Sequence, residues 1–271
     1  MVRRGAGSVV AVGMAGFLAG LVVMWSLGTS RLPLIAHRSR AATHGEWVFL
    51  RGPSGDSLRA YVAYPERKDP APAVIVIHEI FGLTDWEPTI VDRLAGAGYV
   101  AIVPDLLSPR FGTTPANPDS GRKLTALLDA DAVNADLDRV YGYLNTLPSV
   151  RKDQIGSIGF CWGGGKSFRY ATANPRLKAA VVCYGPPPDS VLIPHIKARV
   201  LGVYGEDDAR INATLPEVER VTKQAGVSFR YDVYPGTGHG FLKPGRKGSD
   251  TDQVDRAWEK VLAFYRESLE R

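Results

Sequence analysis

From residue 74 onward, short apolar runs alternate with longer amphipathic stretches, and that alternation predicts the architecture. The runs at residues 74–77, 100–103, 155–160, 179–184 and 200–204 are continuous and rich in Val, Ile and Ala, which suits parallel strands covered on both faces. Residues 229–234 alternate apolar and polar like a further strand. Between these runs, residues 86–97, 124–147, 215–224 and 254–269 read as helices. In the second, Leu137, Val140, Tyr141 and Leu144 share one helical face, and Gly98 stands where a stop for the first is needed. Upstream, residues 47–50 and 58–63 flank Gly52-Pro53-Ser54-Gly55-Asp56, the signature of an antiparallel hairpin at a sheet edge. Strands alternating with helices predict a doubly wound, mostly parallel α/β sheet. The Pro- and Gly-rich stretch at 108–121 is too long for a simple connection and predicts a rim or lid, or else a plain surface loop.

Before residue 46 the pattern changes. Residues 8–27 carry no charge and follow Arg3 and Arg4. About twenty apolar residues suffice to cross a bilayer as a helix, whereas the apolar core of a cleaved signal peptide runs to about 7–15. The expectation is three parts: residues 1–30 as an N-terminal hydrophobic helix serving as transmembrane anchor or signal segment, 31–45 as linker, and 46–271 as one α/β domain. The anchor would hold the catalytic domain outside the cytoplasm. The alternative is a secreted or periplasmic protein after signal cleavage.

Charge narrows the partners. The formal net charge of +5 is carried by Arg3, Arg4, Arg31, Arg38 and Arg40, which leaves 28 basic and 28 acidic side chains in the rest. A balanced domain without a basic tract does not suit nucleic acid, and the basic flanks suit a membrane surface. Two cysteines supply neither a disulfide framework nor a metal-ligand spacing. No metal and no cofactor are expected, and the domain is taken as a monomer.

The chemistry is concentrated at Gly159-Phe160-Cys161-Trp162-Gly163-Gly164, which reads as a nucleophile elbow with cysteine at its tip. A strand turning sharply into a helix strains its turn residue and needs small neighbours; the side chain of Cys161 is then held out over the sheet's end. The N–H of Trp162 opens the helix and is placed to donate to an oxyanion. A glycine cluster alone marks only a tight turn, and a lone cysteine packs as a small hydrophobe, so the reading depends on partners downstream. An elbow of this type is followed in the chain by an acid and then a histidine. Gly205-Glu206-Asp207-Asp208 ends a strand, with Asp207 and Asp208 competing for the acid. His239 lies between glycines on the loop after residues 229–234. An imidazolium beside a thiol populates the thiolate, and a carboxylate fixes the ring's orientation. Cys183, inside an apolar run, is read as core.

Taken together, these motifs resemble the dienelactone hydrolase family of the α/β-hydrolases. The resemblance rests on His78-Glu79-Ile80-Phe81-Gly82, Pro104-Asp105-Leu106, the elbow, Tyr204-Gly205-Glu206-Asp207-Asp208 and Gly238-His239-Gly240-Phe241, and covers about residues 46–270. It implies an α/β-hydrolase fold and a Cys161–Asp208–His239 triad, with Asp208 preferred at three residues past Gly205. It implies that Glu79 lies beside the nucleophile and modulates its protonation, and that the N–H of Ile80 is the second oxyanion donor. It also implies that Lys243, four residues past His239, binds an anionic group of the substrate, with a second basic residue supplied by Arg110 or Arg122. The implied activity is cleavage of a small-molecule ester or lactone through a covalent acyl-enzyme. The alternative is a membrane-tethered relative that binds without turnover.

Overall fold

The computed structural model describes residues 44–270. Their strands are β1 (His44–Arg51), β2 (Ser57–Tyr64), β3 (Ala71–Ile77), β4 (Val100–Pro104), β5 (Val150–Phe160), β6 (Ala179–Cys183), β7 (Arg199–Gly205) and β8 (Phe229–Tyr234). They form one eight-stranded sheet in the order β1-β2-β4-β3-β5-β6-β7-β8. The hairpin β1–β2 is antiparallel and joins β4 antiparallel, while every pairing from β4 to β8 is parallel. The helices are α1 (Trp86–Gly96), α2 (Ser108–Phe111), α3 (Pro118–Thr125), α4 (Ala130–Thr146), α5 (Trp162–Ala173), α6 (Ala209–Asn212), α7 (Leu215–Ala225) and α8 (Asp252–Leu269), with a 3₁₀ turn at Ser190–His195.

The pleat explains why the central strands are apolar throughout. Successive side chains leave opposite faces, and both faces are covered. Ile75 and Ile77 belong to one apolar cluster with Leu137, Val140 and Leu144 of α4, Phe168 of α5 and Val218 of α7. Val74 and Val76 pack with Val91 and Leu94 of α1 and with Trp258, Val261 and Tyr265 of α8. This is the doubly wound arrangement that the apolar runs predict.

Two expectations change. The single helix expected over 124–147 is two, because the carboxylate of Asp129 accepts from the N–H groups of Asp131 (3.0 Å) and Ala132 (2.9 Å) and starts α4 anew. The 108–121 stretch is not a plain surface loop. It folds into α2 and the start of α3 around the buried Asp105 at the end of β4. That carboxylate accepts from the N–H of Leu107 (3.2 Å) and from the N–H and hydroxyl of Thr114 (2.9 and 2.7 Å). The Thr114 hydroxyl oxygen in turn accepts from the N–H of Leu83 (3.0 Å), tying the rim to the loop after β3.

The membrane placement is corrected. Among the described residues no helix is long and apolar enough to cross a membrane. The longest of them, α8, has 18 residues and spends its apolar face, Trp258, Val261 and Phe264, on the sheet, while Arg256, Glu259 and Lys260 alternate with it. The run at 8–27, which carried the hydrophobic helix, the anchor, the signal alternative and the extracytoplasmic domain, lies outside the described residues.

Candidate active site

The elbow is built where β5 hands over to α5. Cys161 has φ 55° and ψ −113°, a positive φ that a side chain rarely adopts. Its N–H donates to the carbonyl of Cys183 (3.0 Å), which fixes the turn to β6. The glycines are required by space. A Cβ on Gly159 would stand 1.9 Å from the Gly163 carbonyl oxygen, and one on Gly163 would stand 2.3 Å from that of His78. Trp162 is the first residue of α5, so its N–H has no acceptor within the helix. Its indole stacks on His78, with ring centroids 5.4 Å apart, and His78 Nδ1 contacts the Glu79 carbonyl at 2.7 Å. Ile80, half-buried, lies within the turn that the Gly82 N–H closes on the Glu79 carbonyl (3.2 Å).

The loops after β7 and β8 bring the other two groups to Cys161. His239 Nε2 lies 3.0 Å from the Cys161 sulfur, and its Nδ1 lies 2.5 Å from Asp208 Oδ2. Asp208 is buried, while Asp207 points outward to an exposed pair with Lys247. The contact with Cys161, opposed by partial burial and aided by Asp208, pushes the His239 pKa up to about 9. Both cysteines are free, and full burial pushes the Cys183 thiol pKa up, as suits a core residue.

The expected anion site is arranged differently. Lys243 Nζ donates to Glu79 Oε2 at 2.8 Å, with side-chain exposures of only 19% and 4%, so each group neutralises the other. The ammonium also lies 4.9 Å from the Trp86 ring. Arg110 is bonded to the buried Asp136 at 2.6 Å, and Arg122 pairs with Asp119 in its own helix at 3.3 Å. None of the three basic side chains is unpaired. Among the described residues no cluster of His, Cys, Asp and Glu is placed to hold a metal ion.

Two neighbours, Tyr184 and Glu87, escape the sequence reading, and a third, Asp105, enters it only as part of the motif Pro104-Asp105-Leu106. Tyr184 is buried with φ 41° and sets its ring edge-on to His239, centroids 5.2 Å apart; its hydroxyl has no partner among the described residues. Glu87 is buried in the first turn of α1 and accepts from the N–H and hydroxyl of Thr84 (2.8 and 2.7 Å). Asp105 organises the rim. Only the Pro-Asp pair at a strand's end and the acid three residues past a threonine mark the last two, and both patterns are common.

A mostly parallel sheet with a strained strand-to-helix turn at Cys161 after its fifth strand, and an acid and a histidine on later loops, is the arrangement of an α/β-hydrolase. Comparison narrows the class: the model of the dienelactone hydrolase family matches residues 58–269, and the chain belongs to that family. A Synechocystis protein provisionally named as a carboxymethylenebutenolidase is 30% identical over 228 residues, covering 78% of this chain and 92% of its own. An Escherichia coli K12 protein with the same provisional name is 32% identical, covering 79% and 83%. The crystal structure of a provisionally assigned dienelactone hydrolase from Klebsiella pneumoniae superposes with a TM-score of 0.75 at 30% identity, covering 83% of this chain and 98% of its own. The dienelactone hydrolase of Anabaena variabilis, 21% identical with a TM-score of 0.64, shares the fold. The chain is accordingly a hydrolase of ester or lactone bonds.

Proposed function

We infer that residues 46–271 form a hydrolase unit in which Cys161, His239 and Asp208 act as a catalytic triad on a small-molecule ester or lactone. The observation that carries this reading is the unbroken line Sγ–Nε2 (3.0 Å) and Nδ1–Oδ2 (2.5 Å). The thiolate of Cys161 attacks the carbonyl carbon. Negative charge gathers on the carbonyl oxygen, where the N–H groups of Trp162 and Ile80 donate to it. The imidazolium gives its proton to the leaving alkoxide, and the acyl group stays on sulfur. Neutral His239 then takes a proton from water, whose oxygen attacks the thioester carbon; the C–S bond breaks, the carboxylic acid leaves, and the thiolate–imidazolium pair is restored. Asp208 holds the ring and balances its charge.

Glu79 and Lys243 hold an internal ion pair in this scheme. An anionic group on the substrate would compete with Glu79 for Lys243 and free that carboxylate. A single-turnover assay tests the triad: an activated aryl ester should release a burst of phenol equal to the enzyme. The Cys161→Ala protein should release none. Stoichiometric binding without release by the intact protein would instead support a binding relative.

A further inference from the structure

His78 follows β3 directly, is fully buried, and has no part in the triad. Sheet register places it beside the elbow. Ile77 pairs with Gly159 of β5, so two residues further along the adjacent parallel strands come Glu79 and Cys161. The side chain of His78 makes two contacts, and each ends on a residue whose N–H the reaction uses.

The first contact is Nδ1, 2.7 Å from the Glu79 carbonyl oxygen. A carbonyl only accepts, so the ring's proton sits on Nδ1. The Gly82 N–H donates to the same oxygen at 3.2 Å. In a planar trans peptide the carbonyl and the next residue's N–H point in opposite directions. Two donors on the Glu79 carbonyl therefore set the direction of the Ile80 N–H, which has no acceptor among the described residues. They also polarise that peptide and strengthen its N–H as a donor. The second contact is the ring face, stacked on the Trp162 indole with centroids 5.4 Å apart and planes 10° apart. Nε2 is buried without a partner among the described residues, which costs stability. An apolar ring would stack on Trp162 without that cost, so what histidine adds is the Nδ1–H.

We propose that His78 is the positioning residue of the oxyanion site: its Nδ1–H aims the Ile80 N–H, and its ring face seats Trp162. The proposal rests on the reading of Cys161 as nucleophile and of these two N–H groups as oxyanion donors. His78→Phe keeps a stacking ring and loses the donor. His78→Asn returns an N–H near the place of Nδ1, and His78→Gln puts its amide one bond further out. With p-nitrophenyl acetate, the Phe and Gln variants should lose about 10² in kcat, the lower end of what loss of an oxyanion donor costs. KM should change by less than about threefold, because the lost interaction forms only in the transition state. The Asn variant should recover about tenfold of that loss. Iodoacetamide reacts with the Cys161 sulfur at a tetrahedral carbon and makes no oxyanion, so its alkylation rate should stay within about threefold of wild type in all three.

Wild-type kcat in the Phe and Gln variants, or equal kcat in Asn and Gln, overturns the positioning role. An alkylation rate that falls together with kcat also overturns it, since His78 would then hold the nucleophile or the fold. If the Phe variant does not reach the wild-type melting temperature, the comparison of Asn with Gln decides. Ester turnover that survives Cys161→Ala, or is missing from the wild type, overturns the nucleophile reading and the proposal with it.

Discussion

The loop after β8 is pinned at two points, and the two pins are unlike. At the first, His239 meets the buried Asp208 through Nδ1 and keeps Nε2 directed at the Cys161 sulfur. At the second, four residues on, Lys243 closes on the buried Glu79. One pair is open at its far end and passes its charge to a third group. The other is closed, its two charges spent on each other. The contrast suggests that the first pair does chemistry, while the second holds the loop and stores a carboxylate and an ammonium out of water. Removing one member of a closed buried pair leaves a charge without a partner, which costs about 3–5 kcal/mol. Removing a member of the open pair should cost rate before it costs stability.

The largest expected effect breaks the open pair at its end. Cys161→Ala should abolish ester hydrolysis, with a melting temperature close to wild type; residual turnover within tenfold of wild type would remove the nucleophile assignment. Next, Asp208→Asn should lower kcat by about 10⁴, as loss of the orienting acid does in triads of this kind. Asp207→Asn should change kcat by less than about threefold, since its carboxylate faces the exposed Lys247. Equal losses at the two positions would erase the difference between them.

For the closed pair the expected readout is stability. Glu79→Gln and Lys243→Met should each lower the unfolding free energy by about 3–5 kcal/mol, and the double variant should recover most of that loss. If the two single losses simply add, the pair is not coupled.

The smallest effect is the pH dependence. His239 has a folded pKa of about 9 against an ordinary 6.5, so protonation favours the folded state. Its stabilisation is fully present below about pH 6.5 and is lost as pH rises through about 9. The difference in melting temperature between wild type and His239→Ala should therefore shrink from pH 6 to pH 10. A difference that grows over that range would reverse the sign of the Cys161 and Asp208 contacts.

Much of this was legible along the chain. The runs at 74–77, 100–103 and 200–204 are all strands, and the hairpin lies at the expected edge. Cys161, Asp208 and His239 meet as their order required. The helix at 124–147 misled because Asp129, a cap, sits within a stretch whose apolar spacing looks continuous. Lys243 was visible as a basic residue near the site, but its partner lies 164 residues away, and nothing local to either residue announces the bond. Tyr184 was hidden in the same way, inside an apolar run whose last residue turns back on His239.

By itself the sequence determined the strands, the doubly wound layering and the strained turn at Cys161, because these follow from side-chain period and from glycines needed within a few residues. Tertiary structure alone decided that Glu79 holds Lys243 and that Asp105 orders the rim. Those choices depend on how separate loops converge at one edge of the sheet, where a rotation of one residue exchanges a buried partner for water.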